Sequence, residues 1–140
     1  MALLKVSVVS NESKIFEGEA SFVAVQTIDG ELGILPRHVP LMSVLKPGVM
    51  RIKEQGKAEE TCLALSGGIL EVQPSSVTVL AEVAVRGREA DEQRALKAKQ
   101  DAEAALKSSK DSKQTATAQA ALAAAIAELK TIEYIKQRRH

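Results

Sequence analysis

Leu4, Val6 and Val8 alternate with Lys5 and Ser7 near the start of the chain, and the same two-residue period returns at Ser21, Val23, Val25 and Thr27 and again at Val77 and Val79. In an extended strand successive side chains point to opposite faces, so each stretch predicts a strand with one buried face. Between the stretches stand Asp29-Gly30, Gly33, Pro36, Pro40, Pro47-Gly48, Gly56, Gly67-Gly68 and Pro74-Ser75, the residue types that supply positive or fixed φ in tight reversals. No long amphipathic stretch separates them, which favours an antiparallel β-sandwich over alternating strand and helix units.

The period then changes. Leu96, Ala98, Ala102, Ala105 and Leu106 recur at helical spacing and predict a helix over residues 90–108. The Ser108-Ser109-Lys110-Asp111-Ser112-Lys113 stretch interrupts it, because Ser and Asp side chains compete for backbone hydrogen bonds. Leu122, Ile126, Leu129 and Ile132 form a second stripe, predicting a helix over residues 115–137 and hence a helix-turn-helix hairpin.

Composition sharpens the division. Every Gly, Pro and Val lies at or before Gly87, whereas 14 of the 53 residues beyond it are Ala and most others are Lys, Arg, Glu and Gln, all strong helix formers. The fold class is therefore α+β: an antiparallel β-sandwich over residues 1–87, then a two-helix hairpin over residues 88–140. An Ala seam buries about one methyl per position, and at ~0.8 kcal/mol per buried carbon it holds a hairpin less firmly than Leu or Ile would. Two readings stay open: a hairpin that caps the sandwich permanently, or a hinged element with two packings.

Chemistry is sparse. The net charge of +1 gives no field for nucleic acid, and Phe16, Phe22 and Tyr134 are too few for a base-stacking platform. The single cysteine, Cys62, lies in an alternating stretch and is expected in the core; with His38 and His140 it cannot complete a four-ligand zinc site. The Gly67-Gly68 pair is followed by Ile69-Leu70, not by the Lys and Ser or Thr of a phosphate-binding loop. Asp91 and Arg94 share a helix face and are expected as an intrahelical ion pair. Lys136, Arg138 and Arg139 complement the negative end of a helix dipole or meet an acidic partner. A lone cysteine forms no internal disulfide, so a reducing, cytoplasmic setting is expected, and no long apolar run or signal-like N-terminus points to secretion or a membrane span.

Three strings, GELGILPRHVPLM (residues 30–42), KPGVMRI (residues 46–52) and LSGGILEVQPSSVTVLAEVAVRG (residues 65–87), followed by an Ala/Lys/Glu hairpin, resemble the epsilon-subunit family of bacterial F-type ATP synthases over nearly the whole chain. The resemblance implies a ten-stranded β-sandwich with a C-terminal hairpin, in a non-catalytic subunit. It also implies a place in the rotor's central stalk, on the gamma subunit and the membrane c-ring, coupling proton flow to ATP synthesis. Its location would be peripheral, at the cytoplasmic face of the bacterial inner membrane.

In that family the hairpin can extend along gamma into the alpha/beta head and hinder ATP hydrolysis. From charge, Lys130, Lys136, Arg138 and Arg139 are candidates to meet the head. Glu31 and His38 fall at positions that the resemblance makes c-ring contacts. Some members bind regulatory ATP through an aliphatic-Asp-x-x-Arg-Ala motif. Here Asp91, Arg94 and Ala95 match it, Ala90 replaces the aliphatic residue, and residues 116–128 contain no Arg, so ATP binding is expected to be weak or absent and no other cofactor is expected. The competing class is a free-standing interaction adaptor with a static hairpin.

Overall fold

The computed structural model describes residues 2–11, 13–87 and 92–138, with side chains as far as Gln137. Nine strands come first: β1 (Leu4–Ser10), β2 (Lys14–Thr27), β3 (Gly30–Ile34), β4 (Leu41–Leu45), β5 (Gly48–Glu54), β6 (Thr61–Leu65), β7 (Gly68–Gln73), β8 (Ser76–Ala81) and β9 (Ala84–Arg86). Two helices follow, α1 (Glu92–Ser108) and α2 (Ser112–Arg138). Sandwich and hairpin are as predicted, with nine strands among the described residues where the resemblance implied ten.

The 14-residue β2 serves both layers. Its first half pairs with β1, and after a register shift between Ala20 and Phe22 its second half pairs with β5 and β3. Such a bulge bends the strand and increases its twist, which carries β2 from one layer into the other. One layer is then β1-β8-β7-β4 and the other is β3-β2-β5-β6-β9, with Thr27 opposite Leu45 joining β2 to β4. Every ladder is antiparallel except β1 with β8, which is parallel. This departs from the all-antiparallel sheet predicted: β2 takes one flank of β1, and the other receives β8 running in the same direction.

The core follows the alternation. Leu4, Val6 and Val8 of β1 meet Val23 and Val25 of β2, Met50 and Ile52 of β5, Leu63 and Leu65 of β6, Leu70 and Val72 of β7, and Val77 and Val79 of β8. A slip of one residue would turn a strand's whole apolar set outward, so burial on this face fixes the register. At Gly68 (φ +144°) a side chain would run into the carbonyl oxygen of Leu80, so glycine is required where β7 approaches β8.

Against the outer face of β5 and β6 lies α2, with α1 packed on α2. Buried along the hairpin are Ala95 and Ala102 from α1 and Ala118, Ala125, Ala127, Glu128 and Thr131 from α2, with Glu128 facing α1 and Thr131 facing the sandwich at Gly87. Leu96, predicted in the seam, is exposed, and Leu122, Ile126, Leu129 and Ile132 are half-buried at its margins. Small residues occupy the line of contact because they allow the two backbones to approach. Ala98 and Ala105, also predicted there, border an open cleft of about 660 Å³ between the helices, so the seam is incompletely filled. The second helix starts three residues earlier than predicted. Asp111 Oδ1 accepts the Gln114 N–H at 2.7 Å, and Gln114 Oε1 reaches back to the Lys110 N–H at 2.9 Å. This reciprocal cap satisfies donors that a helix start would otherwise leave unpaired.

Candidate functional site

With Met50 and Ile52 turned into the core, Arg51 of β5 must face outward, in a cross-strand row with Ala24 of β2 and Cys62 of β6. Its guanidinium joins three elements. Nη2 donates to Glu31 Oε1 of β3 at 3.3 Å. Nη1 lies 3.5 Å from Glu60 Oε2, just before β6, and 3.5 Å from the Tyr134 hydroxyl of α2. The guanidinium carbon stands 5.9 Å from the centroid of the Tyr134 ring, within cation–π range. Two further bonds hold the cluster: Tyr134 donates to Glu60 Oε1 at 3.1 Å, and Gln26 donates to Glu31 Oε2 at 2.9 Å. Partial burial works against the charge on Arg51, but the Tyr134 hydroxyl, Glu31 and Glu60 outweigh it, and its pKa rises above the ordinary value.

Beside this cluster α2 sits almost on the backbone. Thr131 and Ile135 pack over Gly87, where any side chain would collide with the end of Ile135. Cys62 is buried, but not in the sandwich core where it was expected. Leu63 and Leu65 point inward, so Cys62 and Ala64 point outward and are covered by α2.

The other residues singled out from sequence fall in separate places. Glu31 stands at the Arg51 cluster. His38 lies in the turn beyond β3, its N–H bonded to the Leu35 carbonyl at 3.2 Å and its Nδ1 2.8 Å from the Val39 carbonyl. Arg94 reaches across the hairpin to Glu128 Oε1 at 3.0 Å, and its expected intrahelical partner lies outside the described residues. Asp91 and Ala90 lie outside the described residues. Lys136 pairs with Glu92 of α1 at 2.6 Å, and Lys130 is exposed. The Arg138 side chain and Arg139 lie outside the described residues. No group of three His, Cys, Asp or Glu side chains suited to a metal ion occurs among the described residues.

One feature escaped the sequence reading. On the outer face of the other layer, Val44 of β4, Ile69 of β7 and Leu80 of β8 stand directly opposite one another in register, and are 51%, 47% and 54% exposed. Met42, two residues before Val44 on the same face, is 69% exposed, and Leu35 and Val39 add apolar surface in the adjoining loop. The signal was present as neighbouring apolar pairs, Val44-Leu45, Ile69-Leu70 and Val79-Leu80, since a strand apolar at both parities has two apolar faces. A row of this kind rimmed by polar residues marks a surface that another molecule covers.

Comparison with known proteins supplies the context. Residues 3–87 match the family model described as ATP synthase, Delta/Epsilon chain, beta-sandwich domain, and residues 89–133 match its long alpha-helix domain. The ATP synthase epsilon chain of Chromobacterium violaceum is 54% identical over 140 residues, all of both chains. Among solved structures, a chain of the Euglena gracilis mitochondrial ATP synthase (OSCP/F1/c-ring) is 22% identical with a TM-score of 0.68, covering 100% of this chain and 83% of that one. A chain from the central stalk/c-ring structure of the Tetrahymena thermophila mitochondrial ATP synthase is 14% identical with a TM-score of 0.61, over 92% of this chain and 96% of that one. These two are likenesses of fold.

Proposed function

Because the chain belongs to the ATP synthase epsilon-chain family, we propose that it is a non-catalytic part of the rotor's central stalk, seated on the gamma subunit through the Met42, Val44, Ile69 and Leu80 face. The observation that carries this reading is the exposed row itself: it lies on the layer opposite the one α2 covers, so it remains available while the hairpin is docked. Glu31 and His38 are the contacts offered to the c-ring, which couples proton flow to ATP synthesis. No described helix is long and apolar enough to cross a membrane, and attachment at the cytoplasmic face of the bacterial inner membrane would come through these partners.

The hairpin is the regulatory element, and the docked form is its resting state. Its Ala seam, open cleft and exposed Lys136–Glu92 pair bind with small groups and screened charge, and an exposed pair contributes about 0–1 kcal/mol. Once released, α2 reaches toward the alpha/beta head, presenting Lys130, Lys136, Arg138 and Arg139 to acidic segments and hindering ATP hydrolysis. Lys136 must first give up Glu92. Arg94 is already engaged by Glu128, so a nucleotide phosphate would have to displace a carboxylate.

The test compares ATP hydrolysis by assembled complexes holding the full chain and a chain ending at Arg88, at equal subunit content. Truncation should raise hydrolysis. An unchanged rate with intact assembly would refute the inhibitory role. The gamma contact is tested separately: Ile69→Asp should abolish co-elution of the full chain with gamma.

A further inference from the structure

Two features described above converge on one guanidinium. Arg51 uses different nitrogens for its two sets of partners: Nη2 goes to Glu31, while Nη1 goes to Glu60 and to the Tyr134 hydroxyl of α2. A guanidinium is planar and rigid, so fixing one nitrogen sets the direction of the other. Glu31 is itself fixed, since its second oxygen accepts from Gln26 at 2.9 Å. Glu31 therefore does not compete with Tyr134 for Arg51; it orients Arg51 beneath Tyr134. Near neighbours sharing one partner in this way are energetically coupled.

We propose that Arg51 couples the engagement of Glu31 to the docking of the hairpin: a cationic side chain of a neighbouring protein that draws Glu31 away leaves Arg51 less firmly aimed and loosens α2 from the sandwich. The partner is specified by chemistry, a Lys or Arg presented to the outer edge of β3, where Glu31 is half exposed. By linkage the converse holds, and a firmly docked hairpin weakens binding at Glu31 by the same factor. The inference rests on reading Glu31 as a contact with a rotor partner, and it adds that the contact and the hairpin report on one another. Arg51 and Glu31 act as positioning residues, and Tyr134 is the part of α2 that feels them.

The chain carries its own reporter, because Cys62 lies under α2 and becomes accessible when the hairpin lifts. Thiol labelling with an aromatic disulfide would be followed in the full chain and in Glu31→Ala, Tyr134→Phe and the double variant. Each single change should speed labelling about two- to fivefold, the range expected of one partly exposed charged contact, and the double variant should label little faster than Tyr134→Phe alone. Hydrogen exchange supplies a second readout: faster exchange should appear in α2 and not in β7.

Labelling of Glu31→Ala at the rate of the unaltered chain, or single effects that simply multiply, would overturn the coupling. So would faster exchange in β7, which would mean general destabilisation. The ring-contact reading fails by a different result. If Glu31→Ala leaves assembly on the c-ring and ATP synthesis untouched, that reading is lost while the labelling cycle still decides the coupling.

Discussion

Replacing Gly87 by Ala places a single methyl where the hairpin meets the sandwich. That methyl would overlap Ile135 Cδ1 and lie 3.1 Å from the Cys62 carbonyl oxygen and 3.3 Å from Thr131 Cγ2. The Cys62 carbonyl is backbone of β6 and keeps the methyl from retreating into the sandwich, so the overlap must be relieved on the side of Ile135 and Thr131, and α2 must rise. Overpacking of this kind costs about 1–3 kcal/mol. The reduced freedom of the unfolded chain returns about 0.4–1 kcal/mol to global stability, but it does not affect docking, because docked and lifted forms share that gain. At about 1.4 kcal/mol per factor of ten, the lifted population should grow about 5- to 140-fold. Labelling of Cys62 should quicken by the same factor until the lifted form predominates. Adding Ile135→Val removes the overlapping Cδ1 atom, so the double variant should label more slowly than Gly87→Ala alone. In the assembled complex, Gly87→Ala should lower ATP hydrolysis. Labelling of Gly87→Ala at the original rate, or a further rise on adding Ile135→Val, would refute this account of how the helix is seated.

Two further predictions concern stability. Glu54 is partly buried, which disfavours its charge, but the Thr61 hydroxyl bonded to its Oε2 and the Lys57 ammonium at 3.0 Å outweigh that, and its pKa falls below the ordinary 4.5. A carboxyl with a lowered folded pKa contributes stability that is complete above the unfolded value and is lost as pH falls through the folded one. Urea unfolding of Glu54→Gln should therefore show lower stability than the original chain at pH 7, with the gap closing as pH falls below 4.5; a constant gap would remove Glu54 from the acid response. Asp111→Ala removes the cap of α2 and should cost about 0.5–2 kcal/mol of hairpin stability. That loss is measurable as faster hydrogen exchange in residues 112–118, and unchanged exchange there would show that the cap is dispensable.

The alternation of Leu4, Val6 and Val8 and the disappearance of Gly, Pro and Val after Gly87 made the sandwich and hairpin legible, because period and propensity are local properties. What stayed hidden depends on partners distant in the chain. Arg51, Glu60 and Tyr134 meet only after β5, β6 and α2 assemble, and no spacing encodes that meeting. Glu31 was singled out through resemblance, and its tie to Arg51 came only from the fold. In α1, Ala95 and Leu96 begin two competing stripes, and close approach to α2 selects the smaller. The cap at Asp111 and Gln114 was written in the sequence at capping spacing, yet it stood inside a stretch read only as a helix breaker. Likewise the Val44, Ile69 and Leu80 row was present as apolar pairs, but its exposure makes sense only when another molecule is considered.

The parallel pairing of β1 with β8 has a consequence for how the domain is made. The first strand to leave the ribosome needs two neighbours: β2, which follows within a few residues, and β8, which begins only at Ser76. At about 5–20 residues per second, the interval between the end of β2 and the end of β8 is roughly 3–11 s. During that time β3, β5 and β6 of the other layer have already emerged, while β1 keeps one edge unpaired and its own layer stays incomplete. The sandwich cannot be completed piecemeal; it must wait until the nascent chain has delivered its eighth strand to its first.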